Sequence, residues 1–134
     1  MNHITKLQEN LLTAVQTSPY HEKTIVFGEG AEAPLLMMIG EAPGGDEEKQ
    51  GRPFVGKAGK NLSAFLEVVG LKREEIYISN VVKLRPTKES PKTGKAVNRP
   101  PSAEEIAFFL PFLQEEIQTI APKVLVTLGN VPLK

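Results

Sequence analysis

Apolar residues recur at helical spacing in three segments of the chain. In residues 2–17, positions 4, 7, 11, 12 and 15 are apolar and share one face of a helix that Pro19 ends. Residues 57–70 carry a second apolar face, and Gly70 stands where a left-handed C-terminal cap belongs. A capping box at residues 102–105 precedes a third apolar face, and we expect Pro111 to kink that helix. The pattern therefore predicts three amphipathic helices.

Short apolar runs between these helices predict strands. They cover residues 35–39, 76–82 and 123–128, and a brief run at residues 24–27 predicts one more short strand. Because strands and helices alternate, we expect βαβ crossovers that build a parallel sheet with helices on its faces. The fold class is therefore α/β, and the length fits a single domain over residues 1–134.

The carboxyl ends of parallel strands meet along one edge of a sheet, where ligands of open α/β folds bind. Here those ends are followed by the GEAPGG turn of residues 40–45, by Asn80 and by the pair at 129 and 130. We expect these three points to lie close together. The pattern predicts a pocket without naming its ligand.

Charge adds a local feature to this picture. The 16 basic and 16 acidic residues cancel, but residues 83–99 contain six basic residues and only one acid, Glu89. Four prolines between residues 83 and 101 argue against regular structure there. This basic loop is either a phosphate-binding surface or a solvated linker.

The chain has no cysteine, which excludes disulfides, thiolate ligands and a cysteine nucleophile. The composition fits a reducing compartment, and no apolar segment is long enough for a membrane span, so we expect a cytoplasmic protein. The two histidines, His3 and His21, are isolated and form no metal-binding pattern.

Residues 51–58, GRPFVGKA, match the spacing of a phosphate-binding loop up to the last residue. Ala58 stands where Ser or Thr would hold Mg²⁺, and Pro53 has no N–H to donate. Nucleotide binding is therefore disfavoured but kept as an alternative.

Three motifs in order, GEAPG (40–44), GRPFVGKAG (51–59) and SNVVK (79–83), resemble those of the uracil-DNA glycosylases of the iron–sulfur type, the fourth family of that superfamily. The likeness extends from about residue 26 to residue 129. It implies a three-layer α/β/α sandwich with a central, mainly parallel sheet. It also implies hydrolysis of the N-glycosidic bond of deoxyuridine in DNA after base flipping, which releases uracil and leaves an abasic site.

The resemblance gives roles to individual residues. Phe54 would stack on the flipped base, and the Asn80 amide would match uracil O4 and N3–H. Main-chain N–H groups around Glu41 and Ala42, in the turn that begins at Gly40, would face uracil O2 as the base leaves. The plain alternatives are that Phe54 anchors its loop and that Asn80 forms a turn.

Two carboxylates, Glu41 and Glu47, are the candidates to orient water or balance charge on the sugar. In the resembling family Glu47 fills the space of a thymine methyl, and Ala42 stands where relatives from another family carry a water-activating Asp. Both glutamates could instead be solvated. The candidate DNA contacts are Pro43, Gly44, Lys57, Lys83 and Arg85.

Two departures from the family change the expectations. The four cysteines that hold its four-iron cluster correspond to Val15, Ser18, Leu84 and Phe109, so we predict no metal and no cofactor. The family also continues past residue 130 into a His-containing motif, so the fold is expected to be incomplete at its C-terminus and residues 124–128 to form an exposed edge. We expect a monomer acting on uracil-containing DNA; the alternative is a non-catalytic uracil- or DNA-binding module or an inactive fragment.

Overall fold

The strands and helices alternate as the sequence pattern predicts. A computed structural model describes residues 3–128. The helices are α1 (His3–Gln16), α2 (Gly45–Gln50), α3 (Lys57–Val69) and α4 (Ala103–Ile120), with a 3₁₀ turn at Arg73–Glu75. The strands are β1 (Glu29–Gly30), β2 (Leu36–Gly40), β3 (Tyr77–Asn80), β4 (Thr87–Glu89), β5 (Ala96–Asn98) and β6 (Val124–Thr127).

The central sheet has the strand order β1-β3-β2-β6. Strand β2 pairs in parallel with both β3 and β6, and the short β1 pairs antiparallel with β3. In this register Gly40 lies beside Asn80, and Ile39 lies beside Thr127. The turn after β2 and the end of β3 are therefore neighbours; the pair at 129 and 130 lies outside the described residues.

Strand β2 is buried on both faces, as expected for the middle of a parallel sheet. Met37 and Ile39 pack in one core with residues of α1 and α4. Leu36 and Met38 alternate with them and pack in a second core with residues of α3. The three-layer α/β/α arrangement and the mainly parallel sheet are confirmed.

Two predicted helix ends are also confirmed. Gly70 adopts a left-handed conformation at φ 77° and donates its N–H to the carbonyls of Glu67 and Leu66 at the end of α3. At the start of α4, the Glu105 N–H donates to Ser102 Oγ at 3.1 Å, and the Ser102 N–H donates to Glu105 Oε1 at 2.8 Å. Helix α4 continues as one helix through Pro111.

Two predictions of local structure are wrong. Residues 24–27 form no strand, because the segment makes a single bond, from Val26 N–H to the Lys83 carbonyl at 2.7 Å, in place of a ladder. Residues 83–101 contain the hairpin β4–β5, which pairs Thr87 with Asn98 and turns through Gly94 at φ 70°. The prolines did not prevent this pairing because all four lie outside both strands.

Candidate active site

Three candidate residues converge at the carboxyl edge of the sheet. Gly40 ends β2, Asn80 ends β3, and Phe54 reaches them from the loop before α3. A Cβ placed on Gly40 would lie 2.6 Å from Asn80 Oδ1 and 2.6 Å from Phe54 Cζ. The carboxamide and the ring therefore both press against the bare Cα of Gly40.

The Asn80 side chain is largely buried at the end of β3. The residue is 4% exposed, and its carboxamide oxygen lies against Gly40, next to the Phe54 ring. A carboxamide offers both a hydrogen-bond donor and an acceptor. A carboxamide in this position beside an aromatic ring has the chemistry of a base-reading group.

Phe54 is held in an unusual backbone conformation. It has φ 53°, in the left-handed region that non-glycine residues rarely occupy, and it is only 7% exposed. Its carbonyl lies so close to α3 that a Cβ on Gly59 would come within 2.1 Å of it. The same carbonyl accepts a bond from Arg73 Nη1 at 2.7 Å. Sequence reasoning missed Arg73, because nothing in its local pattern points to a loop about 20 residues earlier.

Three of the cavities formed by residues 3–128 lie near these residues, and one of about 590 Å³ lies beside Arg52, Phe54 and Arg73. The other two adjoin the sheet edge. A polar cavity of about 380 Å³ follows the turn after β2 and includes every turn candidate, namely Glu41, Ala42, Pro43 and Gly44, together with Glu47 and Lys57. A mostly apolar cavity of about 300 Å³ lies between α3 and β6, and Phe54 is in its wall. Ala58 lines both cavities, so the two openings adjoin at the start of α3.

Glu47 connects the turn after β2 to the loop before α3 through hydrogen bonds. Its carboxylate accepts main-chain N–H bonds from Gly44 (3.0 Å), Val55 (3.0 Å) and Gly56 (2.7 Å). Burial raises the pKa of Glu47, but these N–H groups, Gly56 first, outweigh burial and hold the pKa below its ordinary value. The amides of Val55 and Gly56 are thus committed to a carboxylate. A phosphate-binding loop would need them for a phosphate, which argues against nucleotide binding.

Comparison with known proteins agrees with this geometry. The family model described as the uracil DNA glycosylase superfamily matches residues 27–134. The chain belongs to this superfamily. The matched region includes the turn after β2, the Phe54 loop and β3, so the convergent residues all lie inside the family domain.

Curated relatives narrow the resemblance. The chain is 40% identical to a type-4 uracil-DNA glycosylase of Sulfurisphaera tokodaii over 97% of its own length and 56% of the relative's. A type-4 uracil-DNA glycosylase of Saccharolobus solfataricus is 43% identical over 81% of this chain and 46% of the relative. One of Pyrobaculum aerophilum is 38% identical over 98% of this chain and 63% of the relative. These matches confirm the resemblance to the fourth family of the superfamily. The chain spans about half the length of the curated relatives it matches.

Lys83 is buried in the structure and does not lie where a DNA contact was expected. Lys83 is 2% exposed, and its Nζ donates to Glu116 Oε1 (2.9 Å), Ser79 Oγ (2.8 Å) and the Asn80 carbonyl. Tyr77 donates its hydroxyl to the other Glu116 oxygen at 2.7 Å. Burial, followed by the charge of Glu116, raises the pKa of Tyr77 well above its usual range. We therefore correct the assignment of Lys83, because its ammonium is enclosed beneath the sheet edge and cannot reach a phosphate.

Two other candidate DNA contacts remain near the surface. Lys57 is exposed at the first turn of α3. Arg85 is partly exposed, but its Nε donates to Asn98 Oδ1 at 2.8 Å and its Nη1 lies 3.7 Å from Glu48. Their roles stay predictions.

The positions that carry cluster cysteines in the iron–sulfur family do not fit a cluster in this chain. Val15, Leu84 and Phe109 are at most 3% exposed and share one apolar core. The Ser18 hydroxyl donates to the Val15 carbonyl at 2.7 Å. Iron–sulfur clusters are held by thiolates, and these four side chains offer none. Within residues 3–128 no group of three or more His, Asp or Glu residues is arranged to hold a metal.

Proposed function

We propose that this chain carries out the reaction of a uracil-DNA glycosylase: it hydrolyses the N-glycosidic bond of deoxyuridine in DNA, releases uracil and leaves an abasic site. The observation that carries the proposal is the convergence of the largely buried Asn80 carboxamide and the Phe54 ring on Gly40 at the sheet edge. The relatives are named as type-4 uracil-DNA glycosylases, which supports the same reaction.

Recognition of uracil would combine stacking with edge reading. Flipping a base out of DNA costs a few kcal/mol. Stacking on Phe54 offsets part of that cost, because base–aromatic stacking is worth about 1–3 kcal/mol but does not choose a base. The Asn80 amide makes the choice, donating to uracil O4 and accepting from N3–H, whereas cytosine presents the reverse pair.

Bond cleavage would rely on the turn after β2. The N–H groups of Glu41 and Ala42 would stabilise charge on uracil O2 as the base leaves, and one such donor can be worth about 10²–10³ in rate. The Glu41 carboxylate is the candidate to orient water. Glu47 would act as a wall of the polar cavity, since three N–H groups already fix its carboxylate.

The DNA backbone would pass along the polar cavity. Lys57 and Arg85 supply the positive charge there, and Pro43 and Gly44 supply close main-chain contacts. In the part of the chain that the structure describes, no helix is long and apolar enough to cross a membrane. The proposal includes a cytoplasmic monomer with uracil-containing DNA as its partner.

The test is an oligonucleotide with a single deoxyuridine, treated with the chain and then with alkali to break abasic sites. We expect strand breaks, and we expect Asn80→Ala to reduce them by about 10²-fold or more, since both edge contacts are lost. The control is Asn10→Ala on the exposed face of α1, which should cleave as the wild type. Unchanged cleavage by Asn80→Ala would remove Asn80 from the site. Binding of free uracil without breaks would favour a binding module.

A further inference from the structure

We propose that Arg73 is a positioning residue that fixes Phe54 in its base-stacking place. The inference rests on the proposed function, because it assigns Arg73 a part in the same uracil site. Arg73 lies in the 3₁₀ turn before β3, and Phe54 lies in the loop before α3.

One guanidinium holds two consecutive carbonyls of the Phe54 loop. Arg73 Nη1 donates to the Phe54 carbonyl at 2.7 Å, and Nη2 donates to the Pro53 carbonyl. Two parallel bonds from a planar fork fix direction as well as distance, which a lysine ammonium does less well. The orientation of the peptide between Pro53 and Phe54 is therefore set by Arg73.

The backbone at Phe54 needs stabilising contacts from outside its own loop, because Phe54 has φ 53°. A non-glycine residue leaves this left-handed conformation unless its surroundings over-determine it. On the other side of the same loop, Glu47 accepts the N–H groups of Val55 and Gly56. Arg73 therefore binds two consecutive carbonyls of this segment, and Glu47 binds the next two main-chain N–H groups. Residues 53–56 are held by both side chains.

The Arg73 guanidinium is itself anchored away from the site. Glu29 in β1 lies 3.9 Å from Arg73 Nη2 and binds Arg52 Nη2 at 2.8 Å. Arg52 belongs to the same loop, but within residues 3–128 the hydrogen bonds of its side chain go to the Glu29 carboxylate. Arg52 and Arg73 are therefore a matched pair: both are arginines bound to Glu29, and Arg73 alone of the two holds the Phe54 carbonyl.

The experiment is a double-mutant cycle between Arg73 and Phe54 on the full chain, read as single-turnover uracil excision. We expect Arg73→Met to lower the rate by about 10²-fold, the order that a displacement of about 1 Å of the bound base can cost. In a Phe54→Ala background the same substitution should cause little further loss, because there is no ring left to position. Arg73→Lys should fall between wild type and Arg73→Met, and Arg52→Met should excise as wild type. Losses that multiply in the double variant would overturn the proposal and leave Arg73 a purely structural role.

A second readout needs no uracil. Hydrogen exchange at the Val55 and Gly56 amides should speed up at least about tenfold in Arg73→Met and stay unchanged in Arg52→Met, while exchange in β2 is unaltered. Unchanged exchange at both amides would refute the proposal that Arg73 holds this loop. If the wild type neither excises nor binds uracil, the proposed function fails, and the exchange result still decides whether Arg73 holds the loop. If Arg73→Met does not fold, Arg73→Lys gives the same comparison.

Discussion

At the scale of single residues, Gly40 is the position where the smallest change should matter most. A Cβ there would lie 2.6 Å from both the Asn80 amide oxygen and the Phe54 ring, closer than real Cβ contacts occur. We expect Gly40→Ala to push the ring and the amide apart and to lower uracil excision by about 10²-fold. Excision assays with the deoxyuridine oligonucleotide measure the loss.

The control for this prediction is Gly45→Ala at the start of α2. A Cβ at Gly45 would lie 3.4 Å from the Arg85 guanidinium, which is ordinary contact, so activity should be retained. Full activity of Gly40→Ala, with the variant folded, would mean that ring and amide do not need their observed spacing.

The sequence could predict part of this arrangement. Its motifs pointed to Gly40, Phe54 and Asn80, which the structure brings together. Their roles came from the resemblance to a family and stay predictions. The motifs misassigned Lys83, whose partner Glu116 lies 33 residues away. They also missed Arg73, whose contact with Phe54 spans 19 residues. Long-range pairings of charged residues leave no local pattern, so only the fold reveals them.

At the scale of elements, an apolar core joins α1 and α4. Phe109 on α4 is fully buried among residues of α1 and the central sheet, and its ring lies 4.9 Å from that of Phe108 and 6.2 Å from that of Tyr20. Phe109 is one of the four positions that the resemblance would assign to cluster cysteines, and here it contributes to the core by packing.

We therefore expect Phe109→Ala to lower the free energy of unfolding by about 3–5 kcal/mol, the cost of a large cavity in a core. Urea unfolding measures it, and an iron chelator should leave the wild-type midpoint unchanged. The matched control is Phe65→Ala on α3, which is 42% exposed and should cost much less. Equal losses at the two positions would contradict the packing argument.

Element boundaries show which signals are local. The caps at Gly70 and Ser102 were predictable because a cap depends on residues within one turn. The β4–β5 hairpin was not, because its three-residue strands are too short to show alternation among prolines. The strand expected at residues 24–27 did not form: Val26 is buried and Ile25 and Phe27 are partly buried against the core, but the segment makes one main-chain bond and no ladder.

At the scale of the whole molecule, charges cancel, and stability at low pH depends on a few engaged carboxylates. Hydrogen bonds from Arg99 and Arg52 lower the pKa of Glu105 and Glu29 respectively. The pKa of Glu47 is also lowered, because its main-chain N–H partners outweigh burial. In each case the folded chain holds the ionised form more strongly than the unfolded chain does.

Acid should therefore destabilise the fold through these groups. Between their lowered folded pKa values and the ordinary value of 4.5, the unfolded chain binds more protons, so stability falls as pH drops. Above 4.5 their contribution is fully present. We expect the urea midpoint to be level near neutral pH and to decline below about pH 4.5.

The Glu47→Gln variant tests the part that Glu47 plays. It should be less stable than the wild type at neutral pH, and its stability should decline less steeply with acid because the group no longer titrates. The control, Glu89→Gln at an exposed position of β4, should follow the wild-type curve. A Glu47→Gln curve parallel to the wild type would mean that the hydrogen bonds from Gly44, Val55 and Gly56 to Glu47 add nothing to acid stability.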